Sequence, residues 1–284
     1  MPAIKKLIIS LVLSLILLSI THSKAIIWDF DNTLVKVDRL TMANAIGLSD
    51  FLLYTILDFK NPYHLIDEVF HLLDHIKSDP SKHELIPTTD QKPLPRIFSH
   101  WLDGTWEYSQ INQMVSNLIK SFSANNYFDN ERHQRLIENS MKNMFNPIVL
   151  SNSIKPIKSA LSLLKSCVSK KNIKGELEHE PFLLSNLASG TLDYFIQTAV
   201  GREVLSYFKP ENIIISGDVG MIKPNEDIYL YFLKKFHLNP KDCVFIDDQI
   251  SNINAAKKLG IQGIWVENSN FGQVKRQLQA LQVI

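Results

Sequence analysis

Apolar residues along the chain follow two different patterns, which divide it near residue 150. Residues 37–146 carry apolar positions at helical spacing, on a face opposite histidines and acids. The best-defined face contains Leu65, Val69, Leu72, Leu73 and Ile76. From residue 156 onward, short continuous apolar runs alternate with helical stretches, and a similar run occupies residues 26–28. Such runs are typical of buried parallel strands, so the chain predicts an α/β fold interrupted by a long helical block.

The second half of the chain predicts a doubly wound parallel sheet with a Rossmann-like arrangement. Strands are predicted at residues 26–28, 181–184, 213–215, 243–246 and 264–266, with helices at residues 156–170, 192–200 and 224–236. Several polar residues directly follow these strands, namely Asp29, Ser185, Ser216 and Asp247. Open α/β sheets bind ligands at the carboxyl ends of their strands, so we expect these residues to face one crevice.

Composition excludes several classes of protein. The chain has 284 residues, 45% of them apolar and 21% charged, as in an ordinary globular protein. Thirty basic residues face 29 acidic ones, which argues against a nucleic-acid partner because such binders concentrate Lys and Arg. The two cysteines, Cys167 and Cys243, are too few for a disulfide framework, and we expect Cys243 to be buried in a strand.

The first 25 residues resemble a secretory leader. Lys5 and Lys6 precede an uncharged apolar run at residues 7–20, and small residues surround Ala25. The run is shorter than the roughly 17–25 residues of a membrane span, which favours a cleaved signal peptide. Cleavage after Ala25 would leave only three residues before Asp29, which favours a retained membrane anchor instead. We expect export or anchoring, with possible membrane association, rather than a cytoplasmic location.

An acidic turn directly after the first strand is the main candidate for chemistry. Asp29 and Asp31 stand two residues apart in the segment Asp29-Phe30-Asp31-Asn32-Thr33-Leu34. In such a turn the first carboxylate can act as a nucleophile and the second as a general acid. The alternative is a polar turn closed by a side-chain to backbone hydrogen bond.

The chain resembles the haloacid dehalogenase-like superfamily, whose first signature is a strand followed by Asp-x-Asp-x-Thr. Ser185-Asn186, Lys223-Pro224 and Asp247-Asp248 with Asn252 resemble the three remaining signatures, in the same order. The resemblance implies an α/β core from residues 26–37 and 149–284, and a helical C1-type cap domain at residues 38–148. The block is larger than a minimal cap, and residues 174–180 resemble an insertion, so substrate specificity does not transfer.

The resemblance also implies roles for these residues. Asp29 would attack phosphorus and form an aspartyl-phosphate, while Asp31 would protonate the leaving oxygen. Ser185, Asn186 and Lys223 would bind the phosphoryl group, with Ser185 and Asn186 at the start of a helix. Magnesium would be held by the Asp29 carboxylate, the Asp31 backbone carbonyl and Asp248, with Asp247 either a ligand or a support. Clustered carboxylates repel one another unless a cation is present.

The expected function is a magnesium-dependent phosphatase acting on a small phosphorylated metabolite. Asp31 favours this over dehalogenation, because displacement of a halide needs no acid. A phosphotransferase or phosphomutase of the same superfamily, and a non-catalytic exported binding protein, stay open as alternatives. Two other features have plainer interpretations. The histidine stripe of His64, Glu68, His71 and His75 is expected to be a solvated face rather than a zinc site. Trp101 and Trp106 are expected to pack in the core.

Overall fold

The computed structural model describes residues 23–56, 61–77, 93–172 and 174–284. The expected leader lies almost entirely outside these residues. The strands are β1 (Ala25–Trp28), β2 (Val35–Val37), β3 (Ile154–Pro156), β4 (Glu180–Ser185), β5 (Ile213–Ile215), β6 (Cys243–Asp247) and β7 (Gln262–Trp265). Five of them form one parallel sheet in the order β5-β4-β1-β6-β7. The predicted doubly wound α/β fold is therefore confirmed.

Helices cover both faces of this sheet. They are α8 (Lys158–Cys167), α9 (Thr191–Phe195), α10 (Ala199–Leu205), α11 (Ser216–Val219), α12 (Glu226–Lys235), α13 (Ile250–Lys258) and α14 (Phe271–Ala280). Successive residues of β1 point to opposite faces: Ile26 packs in the cluster with α8 and α14, and Ile27 in the cluster with α12 and α13. Because both faces are buried, the strands carry no polar alternation, which explains their continuous apolar runs.

The helical block forms a separate layer, which we call the cap. It comprises α1 (Arg39–Ile46), α2 (Leu48–Ile56), α3 (Pro62–Leu73), α4 (Arg96–Leu102), α5 (Tyr108–Ala124), α6 (Glu131–Asn143) and α7 (Pro147–Asn152). Its apolar core includes Leu65, Val69, Leu72 and Leu73, the face that the periodicity predicted. The cap confirms the predicted helical insertion, although its exact division from the core into domains stays a prediction.

Two of the connections between the cap and the core in the described residues bear on the position of the cap. The first is an antiparallel ribbon in which Val35 pairs with Pro156 and Val37 with Ile154. Neither strand is predicted from the sequence, because three residues are too few to show a period. The second is a contact in which Ser216 donates from Oγ to the Leu102 carbonyl at 2.6 Å. The cap is therefore held at its hinge and at a point beside the strand edge.

Two predicted helices differ from the structure. The helix expected at residues 192–200 is divided into α9 and α10, because Thr198 caps the second by accepting from Gly201 N at 2.9 Å. The helix expected from Pro224 begins at Glu226 instead, and Pro224 follows a cis peptide bond with Lys223. Across the described residues, no helix combines the length and the apolar character needed to cross a membrane.

Candidate active site

Asp29 lies at the end of the central strand, at the floor of a cleft between core and cap. Its backbone N–H donates to Ile246 O at 2.9 Å, which continues the pairing of β1 with β6. The chain then turns sharply, since Leu34 N and Val35 N both donate to Phe30 O. Asn32 adopts the left-handed conformation with φ 55°, which Asn tolerates better than most residues. This turn leaves Asp29 buried and Asp31 open to the cleft.

Lys223 is a fully buried lysine, only 1% exposed, placed between two carboxylates. Its ammonium group donates to Asp29 Oδ1 at 2.6 Å, to Asp247 Oδ2 at 2.8 Å and to the Leu184 carbonyl at 3.0 Å. All three ammonium hydrogens can therefore be satisfied, as burial of this charge requires. The Lys223 backbone is also fixed, because Asn186 accepts from its N–H at 2.8 Å and donates to its carbonyl at 2.7 Å.

Asp247 and Asp248 stand side by side at the end of β6 but have different surroundings. Asp247 is completely buried and also accepts from Gln249 N at 2.7 Å and from Asn252 Nδ2 at about 3.0 Å. Its oxygens are thus already occupied by hydrogen bonds. The Asp248 side chain lines the cleft, and its backbone carbonyl accepts from Trp265 Nε1 at 2.8 Å. Asp248 is therefore the member of the pair that faces the cavity.

One cluster among the described residues has the geometry of a metal site. Oxygens of Asp29, Asp247 and Asp248 all lie within 4.8 Å of one another. These donors are all hard carboxylate oxygens, and Mg²⁺ prefers such ligands over nitrogen or sulfur. One lysine does not neutralise the surrounding carboxylates, so the donor set and its excess negative charge both fit a divalent cation.

The pKa values of the cleft carboxylates are raised. Burial raises the pKa of Asp29 to about 7, an effect that Lys223 opposes and Asp247 reinforces. Desolvation, followed by repulsion from Asp29 and Asp247, raises the pKa of Asp248 to about 8. Asp31 opens into the cleft, but the enclosing protein limits the water around it and raises its pKa to about 6. Without a cation, Asp29 and Asp248 therefore exchange protons near neutral pH.

The cleft encloses a cavity of about 460 Å³, within the usual size range of small-molecule sites. Asp29, Asp31, Lys223 and Asp248 lie at its core end, together with Asn186. Among the described residues, the lining side chains that come from the cap and the ribbon are all apolar. One end of the cavity is therefore suited to bind an anion together with a metal cation, and the other end is uncharged.

A sequence model of the haloacid dehalogenase-like hydrolase family matches residues 23–260. The chain belongs to this family. It is 32% identical over 87 residues to D-ribitol-5-phosphate phosphatase of Bacteroides thetaiotaomicron, a match covering 29% of this chain and 42% of that enzyme. The curated relatives are each matched over less than half of their own length.

Solved structures of haloacid dehalogenase (HAD) family members share the fold. An HAD family enzyme from Bacteroides thetaiotaomicron in a magnesium complex aligns with a TM-score of 0.52 and 14% identity, covering 90% of this chain and all of that one. An HAD-like family hydrolase from Porphyromonas gingivalis aligns with a TM-score of 0.50 and 20% identity, covering 91% and 99% of the two chains. These likenesses support the fold of the hydrolase.

In this HAD-like hydrolase, most residues selected from the sequence meet at one place. Asp29, Asp31, Asn186, Lys223 and Asp248 line the cavity, and Asp247 lies directly behind them. Ser185 is buried at the end of β4 and is not among the lining residues. Neither Ser185 nor Asn186 begins a helix, because α9 starts only at Thr191, so the expected helix N-terminus at these residues was wrong.

Other details of the site were not visible in the sequence. Lys223 is deeply buried, and Asn252 donates to both Asp247 oxygens. Trp101 lines the cavity as well as packing in the cap core. In the histidine stripe, Glu68 lies 3.1 Å from His133, on another helix. The Glu68 carboxylate therefore contacts His133, which lies outside the stripe.

Proposed function

We propose that this hydrolase is a magnesium-dependent phosphatase that cleaves a small phosphate monoester through an aspartyl-phosphate on Asp29. The observation that carries the proposal is the convergence of Asp29, Lys223 and Asp248 at the floor of a cavity that Asp31 also faces. The named activity of the relative from Bacteroides thetaiotaomicron supports phosphatase chemistry. Its substrate is not carried over, because the match covers only 29% of this chain.

Lys223 fixes and prepares the nucleophile. The 2.6 Å bond to Asp29 Oδ1 holds that carboxylate in one orientation and favours its charged form. The Leu184 carbonyl and Asp247 hold the lysine, and Asn186 holds its backbone. The same positive charge lies beside the phosphoryl group once the substrate is bound. Phosphoryl transfer depends mainly on such positioning and charge neutralisation.

Asp29 and Asp31 divide the chemistry between them. An Asp29 oxygen attacks phosphorus, the bond from phosphorus to the alcohol oxygen breaks, and that oxygen takes the proton from Asp31. The Asp31 carboxylate then removes a proton from water, whose oxygen attacks phosphorus and releases phosphate and Asp29. A pKa of about 6 suits Asp31 to both steps, since each protonation state is accessible near neutral pH.

Magnesium would be held by the Asp29 and Asp248 carboxylates and the Asp31 backbone carbonyl. We assign Asp248 rather than Asp247 as the direct ligand, because hydrogen bonds from Lys223, Gln249 and Asn252 already engage Asp247. The bound cation would supply charge neutralisation for the carboxylates and the phosphate oxygens.

The test is release of inorganic phosphate from acetyl phosphate and from phosphate monoesters, with and without magnesium. Asp29→Asn, which keeps the shape of the side chain but removes the nucleophile, is the blank. We expect turnover only with magnesium and wild-type protein. Turnover that survives in Asp29→Asn, or equal turnover after removal of divalent cations, would contradict the proposal. Products measured with added alcohol acceptors separate hydrolysis from phosphotransfer.

A further inference from the structure

We propose that the alcohol part of the substrate is apolar, so that this enzyme acts on the phosphate monoester of an aliphatic or aromatic alcohol rather than on a sugar or polyol phosphate. The inference rests on the proposed function and extends it to the substrate class. Its basis is the distribution of polar groups around the cavity that Asp29 lines.

The cavity is divided by chemistry along its length. Among the described residues, the charged and amide side chains that line it all come from the core, as does the lining hydroxyl of Thr191. The opposite wall, which would surround the alcohol, includes Met42, Leu94, Phe98, Trp101, Met144 and Leu150. None of these side chains is charged, and the indole N–H of Trp101 is their one strong hydrogen-bonding group.

Part of this apolar wall is held rigidly. Phe98 and Trp101 are 9% and 7% exposed, and each packs against Phe145, which is fully buried. The ring centroids lie 4.8 Å apart for Phe98 and Phe145, and 5.2 Å apart for Trp101 and Phe145. These aromatic contacts fix the two rings before a substrate arrives. The wall is therefore formed in advance and does not depend on reorganisation around a ligand.

A polyol would bind poorly against such a wall. A hydroxyl placed against this wall would leave water without gaining a partner from the wall, which costs roughly 1–3 kcal/mol by mutational measurements. An alkyl chain would instead gain about 0.8 kcal/mol for each buried methylene, which corresponds to roughly a fourfold gain in affinity. The two effects act in the same direction, so alkyl phosphates should be preferred strongly over polyol phosphates of equal length.

The experiment compares matched pairs of phosphate monoesters with magnesium: propyl with glycerol 1-phosphate, butyl with erythritol 4-phosphate, and hexyl with sorbitol 6-phosphate. We expect kcat/KM to rise about threefold to fourfold per added methylene in the alkyl series until the cavity is filled. We also expect each alkyl ester to exceed its polyol partner by at least about tenfold. Acetyl phosphate, which carries no alcohol, reports on the phosphoryl chemistry alone.

A pair of methionine variants ties the preference to the cavity. Met144→Gln places an amide in the apolar wall and is expected to lower the ratio of hexyl to propyl turnover by about threefold or more. Met114→Gln is the control, because Met114 is also partly buried in the cap but does not line the cavity. It should leave that ratio within about twofold of wild type.

The outcomes separate this inference from the proposed function. If polyol phosphates are hydrolysed as well as or better than the alkyl esters, the phosphatase assignment stands and the apolar substrate class is wrong. The same conclusion follows if chain length has no effect, or if both methionine variants change the ratio equally. If neither acetyl phosphate nor any ester is hydrolysed, both proposals are wrong.

Discussion

Replacement of Lys223 by methionine tests the charge balance of the site directly. The variant keeps most of the side-chain volume, but removes a buried ammonium that bonds to Asp29 and Asp247 at 2.6 and 2.8 Å. Loss of one partner of a buried ion pair costs roughly 3–5 kcal/mol, because the remaining charge is uncompensated. For a chain of this size each kcal/mol lowers Tm by about 2–3 °C, so we expect a decrease of roughly 6–15 °C.

The measurement is thermal unfolding of the metal-free protein over a range of pH. The carboxylates of the folded variant should have pKa values raised even further than in wild type, where that of Asp29 is already about 7. A carboxylate whose pKa is raised by folding stabilises the folded protein at pH values below the pKa of that group in the unfolded chain. This stabilisation is lost as the pH rises through the pKa of the group in the folded protein. The gap between Lys223→Met and wild type should therefore be nearly constant around pH 5 and widen from about pH 6 to about pH 8, where Asp29 loses its proton in wild type but keeps it in the variant.

Two further proteins complete this test. Lys234→Met removes an exposed lysine from α12 and should change Tm little. The double variant Lys223→Met with Asp247→Asn leaves one uncompensated carboxylate, Asp29, instead of two, and should be more stable than Lys223→Met alone. A cost for Lys223→Met of less than about 1 kcal/mol, or a cost independent of pH, would refute the charge-balance argument.

Three other predictions follow from the site and the cap. Asp31→Asn should lower kcat for alkyl phosphates by roughly 10²–10⁴-fold, and for acetyl phosphate much less, since an acid matters most for a poor leaving group; equal losses would contradict its role as an acid. Magnesium should raise Tm more at about pH 8 than at about pH 5.5, because it competes with protons on Asp29 and Asp248, whose pKa values are about 7 and 8; melting curves that respond equally at both pH values would count against the metal site. Gly104→Ala should lower Tm, because the added Cβ would lie 2.2 Å from the carbonyl oxygen of Gly217 in the core. Gly175→Ala is the control for backbone strain, because Gly175 has a similar positive φ but open surroundings. Similar losses from both glycine variants would mean that the contact between cap and core is not the cause.

The sequence predicted the sheet and the position of the nucleophile because both depend on local patterns. A buried parallel strand is a continuous apolar run, and the acidic turn directly follows one. Strand order placed Asp29 between the polar ends of β4 and β6, as the carboxyl-edge rule requires. The strands and the acidic turn can be predicted from the spacing of residues that are close together in the chain.

Other features depend on contacts between distant residues, which no local pattern specifies. The burial of Lys223 results from three partners on β1, β4 and β6 that only the folded sheet brings together. The hinge ribbon has three residues in each strand, too few for a periodic signal. The apolar wall was also hidden, because the residues of the cap that line the cavity have the same character as those that fill its core.

The position of β1 at the centre of the sheet has a consequence for folding. Ile26 pairs with Pro181 on one side and with Val244 on the other, so the middle strand is synthesised long before either neighbour. Until then a fully apolar strand has no hydrogen-bonding partner and is available for association with other chains. Assembly must close two long loops, which makes folding slow compared with a helical bundle. During synthesis the cap can form first from its local helical contacts, and the catalytic half is completed only when β6 emerges.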